Sequence, residues 1–248
     1  MADTLIQIRN LLKQFGSLVV LDHIDLDVRE GENLVVFGQS GTGKSVLLKC
    51  IIGLLKPDEG DISMLGKDVI NCTLPELNEV RKQTGFLFQG AALYDSMTVR
   101  QNLEFPLKRH FSFTQQELNE KVEYTLALVS LENAVDKMPS ELSGGMRKRI
   151  GLARSIITQP KIMFYDEPTT GLDPITSKEI SDLIINMQKK FNMTSIAVTH
   201  DLICAKIIAD RAIFLRNGKI AFQGDLAHLT ESENPFLKNF FSDELIKE

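Results

Sequence analysis

Apolar and polar positions alternate near the start of the chain, in Leu5-Ile6-Gln7-Ile8, Val19-Val20-Leu21 and Ile24-Asp25-Leu26-Asp27-Val28, a period-two pattern that predicts strands. Leu34-Val35-Val36-Phe37 is instead a continuous apolar run with β-branched residues, as suits a central strand buried on both faces. The period then changes. Val46, Leu47, Leu48, Ile51, Ile52, Leu54 and Leu55 predict a helix buried over much of its circumference. Thr114-Gln115-Gln116-Glu117 is a capping box, and Leu118, Val122, Leu126 and Val129 follow it at helical spacing. A further helix is expected from Ser143, with Ile150, Ala153, Ile156 and Ile157 on one face. Residues 92–158 therefore read as a mostly helical insertion between two parts of a sheet. Parallel-strand runs resume at Ile162-Met163-Phe164-Tyr165 and Ser195-Ile196-Ala197-Val198. A hairpin follows, turning at Asn217-Gly218, a type I′ signal. In the tail, Phe236, Leu237, Phe240 and Phe241 form one apolar face of a short helix. That face could pack on the chain's own domain or dock on another subunit.

Composition changes this picture little. The 248 residues suffice for one α/β domain carrying an inserted subdomain, and the net charge of −5 argues against a surface that coats nucleic acid. No stretch reaches the roughly 18 apolar residues of a membrane span. Met1-Ala2-Asp3-Thr4 has no basic region leading into an apolar core, so a secretory signal is not expected. Cys50, Cys72 and Cys204 fit neither a disulfide framework nor a zinc site and are expected to be small buried hydrophobes in a reducing, cytoplasmic setting.

The chemistry is concentrated in a few segments. Gly38-Gln39-Ser40-Gly41-Thr42-Gly43-Lys44-Ser45 fits G-x-x-x-x-G-K-[ST] between a strand and a helix. Its glycines let backbone N–H groups curl round phosphate oxygens, the helix start adds a positive dipole end, Lys44 offers a cation to the β- and γ-phosphates, and Ser45 offers a hydroxyl to Mg²⁺. Asp166 and Glu167 close the run from Ile162, at a strand end where ligands gather in parallel sheets. Asp166 suits Mg²⁺ and Glu167 suits a general base. Ser143-Gly144-Gly145 is equally a plain helix cap or a second anion site made of uncovered N–H groups. His200 by itself reads as a lone histidine after a strand, and Arg147-Lys148-Arg149 as a solvated helix face.

Taken in order, these segments resemble the ATP-binding subunits of ATP-binding cassette (ABC) transporters over nearly the whole chain. Gly38 to Ser45 resembles the Walker A loop, Gln89 in Phe88-Gln89-Gly90 the Q-loop, and Leu142-Ser143-Gly144-Gly145 the signature. Asp166-Glu167 resembles the Walker B pair, Leu172-Asp173-Pro174 the D-loop and Thr199-His200-Asp201 the switch histidine. The resemblance implies an α/β fold, a P-loop NTPase cassette with a RecA-like core, an antiparallel β subdomain and an inserted α-helical subdomain. It divides the single 1–248 domain into a core with β subdomain (1–91 and 159–232), a helical subdomain (92–158) and an amphipathic tail (233–248). It also implies ATP and Mg²⁺ as ligands, with Glu167, His200, Gln89 and Lys44 in catalysis and with Ser45, Gln89 and Asp166 at the metal.

Phe15 resembles the aromatic that stacks on adenine, although an aromatic before Gly16 could equally belong to the core. Ser143, Gly144, Gly145 and Asp173 would act across a head-to-tail homodimer, completing the site of the other copy. Two departures from the family pattern stand in or beside the ATP site. Val46 replaces a hydroxyl residue near the α-phosphate, and Met146 replaces the glutamine after the signature glycines, so altered nucleotide affinity is expected.

Leu142 to Arg149, Gly43 to Leu48, Leu87 to Tyr94 and the Asn234 to Phe241 tail look like the Mce-associated, Mla type of lipid transporter. That likeness implies phospholipid or another hydrophobic lipid as cargo, ATP-driven transport between the two membranes of a cell envelope, and a peripheral place on the cytoplasmic face of the inner membrane. The implied partners are permease subunits received near residues 91–103, Mce-type lipid-binding subunits and small accessory subunits, with no nucleic acid. The alternatives are another cargo, polar solute or lipoprotein, and an ABC ATPase that works without a permease.

Overall fold

The computed structural model describes residues 3–246; Met1, Ala2 and the last two residues of the 233–248 tail lie outside it. The strands among these residues are β1 (Thr4–Phe15), β2 (Leu18–Arg29), β3 (Asn33–Phe37), β4 (Glu59–Met64), β5 (Lys67–Asp68), β6 (Thr84–Leu87), β7 (Ile162–Asp166), β8 (Thr194–Val198), β9 (Arg211–Arg216) and β10 (Lys219–Gly224). The α-helices are α1 (Lys44–Ile51), α2 (Leu74–Arg81), α3 (Val99–His110), α4 (Gln115–Leu128), α5 (Gly144–Ile156), α6 (Pro174–Phe191), α7 (Leu202–Ile208), α8 (Leu226–Thr230) and α9 (Pro235–Ile246).

Two sheets result. β2-β1-β4-β5 is antiparallel, and β10-β9-β3-β8-β7-β6 is parallel except for the β9–β10 hairpin. The two predicted strand pieces at Val19–Leu21 and Ile24–Val28 are one long strand, β2, whose alternation is interrupted by His23 at φ 53° and by irregular pairing with β1.

The larger sheet divides two apolar cores. Successive residues of a strand point to opposite faces. Val35, Phe37, Met163, Tyr165, Ala212 and Phe214 therefore enter the core shared with the helical segments. Leu34, Val36, Ile162, Phe164, Ile213 and Leu215 enter the core shared with α1 and the antiparallel sheet. Burial on both faces accounts for the unbroken apolar runs, since every residue of β3, β7 and β8 is buried.

Caps fix several helix starts where the sequence places them. Thr114 accepts from Glu117 N while the Glu117 carboxylate accepts from Thr114 N, and Ser143 Oγ accepts from Met146 N at 3.2 Å. The helix after the Gly-rich loop is shorter than expected. α1 ends at Ile51, the chain turns at Gly53 (φ 69°), and Leu54 is exposed, because a left-handed glycine stops the helix before its apolar pattern runs out. Asn217 and Gly218 both have positive φ, 50° and 77°, as a type I′ turn requires.

The tail helix packs in cis. Leu237 and Phe241 are buried, Phe241 meets Phe37 edge-on with ring centroids 5.4 Å apart, and Phe240 meets Phe214 at 4.8 Å. Cys50 and Cys204 are buried hydrophobes whose thiols burial pushes up to about 11 and about 12, whereas Cys72 is only half-buried. Among the described residues no helix is long and apolar enough to cross a membrane.

Candidate functional site

The order β3-β8-β7-β6 brings four strand ends side by side at one edge of the parallel sheet, although their connections wander far through the chain. β3 delivers the loop 38–45, β8 delivers Thr199 and His200, β7 delivers Asp166 and Glu167, and β6 delivers Gln89. The register aligns these ends, because Val198 pairs with both Val36 and Asp166 and Leu87 pairs with Tyr165. Parallel sheets gather ligand-binding loops at this carboxyl edge.

The loop after β3 is held open by backbone geometry. Gly41 and Gly43 lie at φ 80° and 97°, where L side chains are strained, and a Cβ on Gly43 would come within 2.9 Å of Val20. That close approach joins the loop to β2, next to the β1–β2 turn where Phe15 stands half-exposed. Thr42 Oγ1 donates to the Gln39 carbonyl at 2.8 Å and closes the turn, while Gln39, Ser40 and Gly41 are exposed. Lys44 Nζ donates to the carbonyls of Gly38 (2.7 Å) and Gln39 (3.1 Å), which leaves one of its three N–H donors for a further acceptor. Burial lowers the Lys44 pKa, against the opposing attraction of Glu167 and Asp166. Val46, in the first turn of α1, is partly buried against the core and offers the site no polar atom but its backbone.

Ser45 Oγ donates to Asp166 Oδ1 at 2.8 Å, which joins the start of α1 to the end of β7. A hydroxyl and a carboxylate are hard oxygen donors of the kind Mg²⁺ prefers, and an ion that also binds phosphates and waters needs few protein ligands. The pair fits that ion. Gln89 is exposed, and its backbone carbonyl accepts from Lys148 Nζ at 2.5 Å.

Glu167 adopts φ 52°, unusual for a residue with a Cβ and costing about 1–3 kcal/mol. The turn brings its carboxylate to His200, with Nδ1 to Oε2 at 2.8 Å, and Thr170 Oγ1 donates to the same oxygen at 3.0 Å. An ionised carboxylate only accepts, so Nδ1 of His200 carries the hydrogen of this bond. Burial pushes the Glu167 pKa up, but the His200 bond and charge, the Thr170 bond and the Lys44 charge outweigh it and hold the group below the usual range. Glu167 is therefore an anion at neutral pH, one edge of which is already hydrogen-bonded.

Two sequence-predicted groups lie apart from this cluster. Gly144 lies nearest Leu172, and a Cβ on Gly145 would come within 2.8 Å of Thr176, so residues 144–145 abut the segment 172–176 rather than the loop 38–45. Asp173 is exposed and caps α6, accepting from Ile175 N and Thr176 N. The expectation of a solvated face at Arg147-Lys148-Arg149 fails at its centre. Lys148 is only 6% exposed and also donates to the Glu167 carbonyl at 3.0 Å. The sequence did carry a signal for this, since Lys148 precedes the buried Leu152 by four residues and so shares its helix face. Asp201 is a further residue of the region, accepting from Thr169 Oγ1 at 2.7 Å and capping α7.

A glycine loop opening a helix on the central strand, with a hydroxyl–carboxylate pair and an acid–histidine pair beside it, defines a P-loop ATPase. A family model described as ABC transporter matches residues 21–170. The chain is 39% identical to the probable ribonucleotide transport ATP-binding protein mkl of Mycobacterium leprae, over 96% of this chain and 68% of that protein. It is 37% identical to the intermembrane phospholipid transport system ATP-binding protein MlaF of Haemophilus influenzae, over 98% of this chain and 92% of that one. Among solved structures it resembles a dimeric ATP-binding cassette in a post-hydrolysis state bound to ADP and Pi, with a TM-score of 0.82 and 29% identity over 89% of this chain and 98% of that one. The chain belongs to the ABC transporter family and is one of its ATP-hydrolysing, nucleotide-binding cassettes.

Proposed function

We propose that this cassette works as a head-to-tail pair, each ATP lying between the loop 38–45 of one copy and Ser143, Gly144 and Gly145 of the other, and that the pair powers lipid transport through a membrane permease. The observation that carries the reading is geometric. Four strand ends build one side of a phosphate site, while a second helix start in the same chain, at Gly144 and Gly145, lies beside Leu172 and Thr176 instead.

In this reading backbone N–H groups of residues 39–45 and the third donor of Lys44 hold the phosphates, and Phe15 stacks on the base. Ser45 and Asp166 hold Mg²⁺, with Gln89 near it; bound there, the ion would neutralise charge on the β- and γ-phosphates. Glu167 takes the proton of the attacking water. His200 keeps the Glu167 carboxylate oriented through Nδ1 and offers its other nitrogen to the γ-phosphate. Asp173, at the start of α6, links the two sites. The chain divides into a core with its β subdomain (1–91 and 159–232), a helical subdomain (92–158) and a tail (233–248).

Complementation tests the pairing. Lys44→Ala and Ser143→Arg should each abolish turnover. A mixed dimer of the two variants contains one site with an intact Lys44 and an intact Ser143, so mixing should restore activity. Failure of every mixing ratio to restore hydrolysis, with dimers present, would overturn the shared site.

The cargo reading rests on the Haemophilus relative, which is named for phospholipid transport and matched over nearly its full length, and on the likeness of the 142–149 and 87–94 segments to lipid-transporting cassettes. The mycobacterial relative is named for ribonucleotide transport. Permease subunits docking near residues 91–103 would place the pair at the cytoplasmic face of the inner membrane, with Mce-type and small accessory subunits in the complex. Phospholipid in the complex purified from detergent-solubilised membranes is the expected result. A polar solute there, or soluble partners only, would replace the lipid reading.

A further inference from the structure

α5 meets the segment after β6 with a single face. Lys148, Gly151 and Arg154 recur every three residues along the helix, so they lie near one another on its surface. Lys148 Nζ donates to the Gln89 carbonyl at 2.5 Å, and Arg154 donates to the Ala92 carbonyl while its guanidinium sits 5.0 Å from the centre of the Tyr94 ring. Between them Gly151 leaves room for Ala91, whose Cβ would stand 2.8 Å from a Cβ at position 151. The segment so gripped is strained, with Ala91 at φ 61° and Ala92 at φ 50°, and such conformations persist only where surrounding contacts over-determine them.

The same ammonium also donates to the carbonyl of Glu167, at 3.0 Å, and Glu167 is itself at positive φ. A buried lysine is expensive unless it is paired with a carboxylate or well hydrogen-bonded. Lys148 forms no ion pair within 4.0 Å among the described residues, and its partners are these two carbonyls, from two strained turns on neighbouring strand ends. A methionine could fill the same space without the desolvation penalty, so packing alone does not call for a lysine here.

We propose that Lys148 is a positioning residue that ties the 89–92 segment to the backbone of Glu167, so that where the segment sits sets the aim of the carboxylate. Displacing the segment then changes the rate of hydrolysis rather than the affinity for ATP. The inference rests on Glu167 being the base of the proposed reaction.

The test uses the full chain with Mg-ATP, measuring kcat, KM, ATP Kd and thermal stability for Lys148→Met, Glu167→Gln and the double variant. Misaiming a reacting group by about an ångström costs up to about a hundred-fold. Lys148→Met should therefore lower kcat about ten- to a hundred-fold with Kd within about two-fold of wild type, and should cost nothing further in the Glu167→Gln background. A loss in Lys148→Met that multiplies with that of Glu167→Gln, or that falls on Kd with kcat intact, overturns the proposal.

Gly151→Ala is a second variant, should Lys148→Met fold poorly. Its Cβ presses on Ala91 at some cost in stability, so kcat should fall while the ATP Kd stays within about two-fold of wild type. Wild-type kcat in that variant, with the folded chain confirmed, also counts against the tie. Full activity of Glu167→Gln would instead remove the base assignment, which is a different failure.

Discussion

Replacing Glu167 by glutamine separates chemistry from folding because the two effects differ in size. The amide has nearly the shape of the carboxylate but cannot take a proton from water at neutral pH. Loss of a general base typically costs on the order of 10²–10⁴ in rate, about 2.7–5.4 kcal/mol of barrier. The cost to the fold is smaller. Oε2 of Glu167 accepts from His200 Nδ1 at 2.8 Å and from Thr170 Oγ1 at 3.0 Å, and an amide oxygen in the same place can keep both as neutral bonds. Charge-assisted bonds contribute roughly 1.5–3 kcal/mol and neutral ones roughly 0.5–1.5, so about 1 kcal/mol is lost at each of the two bonds, about 2 kcal/mol in all, and the amide's escape from the carboxylate's desolvation offsets part of that.

The pH dependence carries the sign of the Glu167 shift. Its folded pKa lies below the value of 4.5 expected for an unperturbed glutamate, so its stabilising contribution is complete above that pH and is lost as pH falls through the folded value. The melting temperatures of wild type and variant should therefore differ most near neutral pH and converge in acid. Steady-state hydrolysis, equilibrium ATP binding and thermal melts on the same preparations give all three quantities. Hydrolysis within a few-fold of wild type would remove Glu167 from the base role. A loss of several kcal/mol in the melt would show that the acid is chiefly structural.

Two further substitutions probe the scaffold. Gly43→Ala places a Cβ within 2.9 Å of Val20 at a φ of 97°, so about 1–3 kcal/mol of stability should be lost and ATP binding should weaken; unchanged binding and melting would refute the strained-loop account. Phe241→Ala empties the aromatic contact with Phe37 and should cost about 3–5 kcal/mol in denaturant unfolding, whereas a cost below about 1 kcal/mol would mean that the tail does not pack on its own core in solution.

Much of the scaffold is legible because its signals are local. A buried parallel strand needs apolar residues on both faces, so β3, β7 and β8 announce themselves as unbroken runs. Capping boxes, the Asn217-Gly218 turn and the glycine loop are decided within a few residues. The tail face at Phe236, Leu237, Phe240 and Phe241 was visible as a pattern, but only packing shows that its partners are Phe37 and Phe214 of the same chain. β4, β5 and β6 are short or polar and leave little periodic trace, and α3 carries Pro106 inside it, against the usual preference.

Lys148 shows the limit most clearly. Between two arginines it reads as part of a solvated run, yet it is buried where two carbonyls converge. The sequence by itself determined which residues could bind phosphate, hold a metal or accept a proton, because those capacities belong to side chains and to short backbone turns. Only the tertiary structure decided which of them meet. The order β3-β8-β7-β6 sets Ser45 against Asp166 and His200 against Glu167 across more than a hundred and about thirty residues of chain respectively, while Gly144 and Gly145 come to lie beside Leu172 and Thr176. Strand order is a non-local choice fixed by how two cores fill on either side of one sheet, and no short stretch of sequence records it.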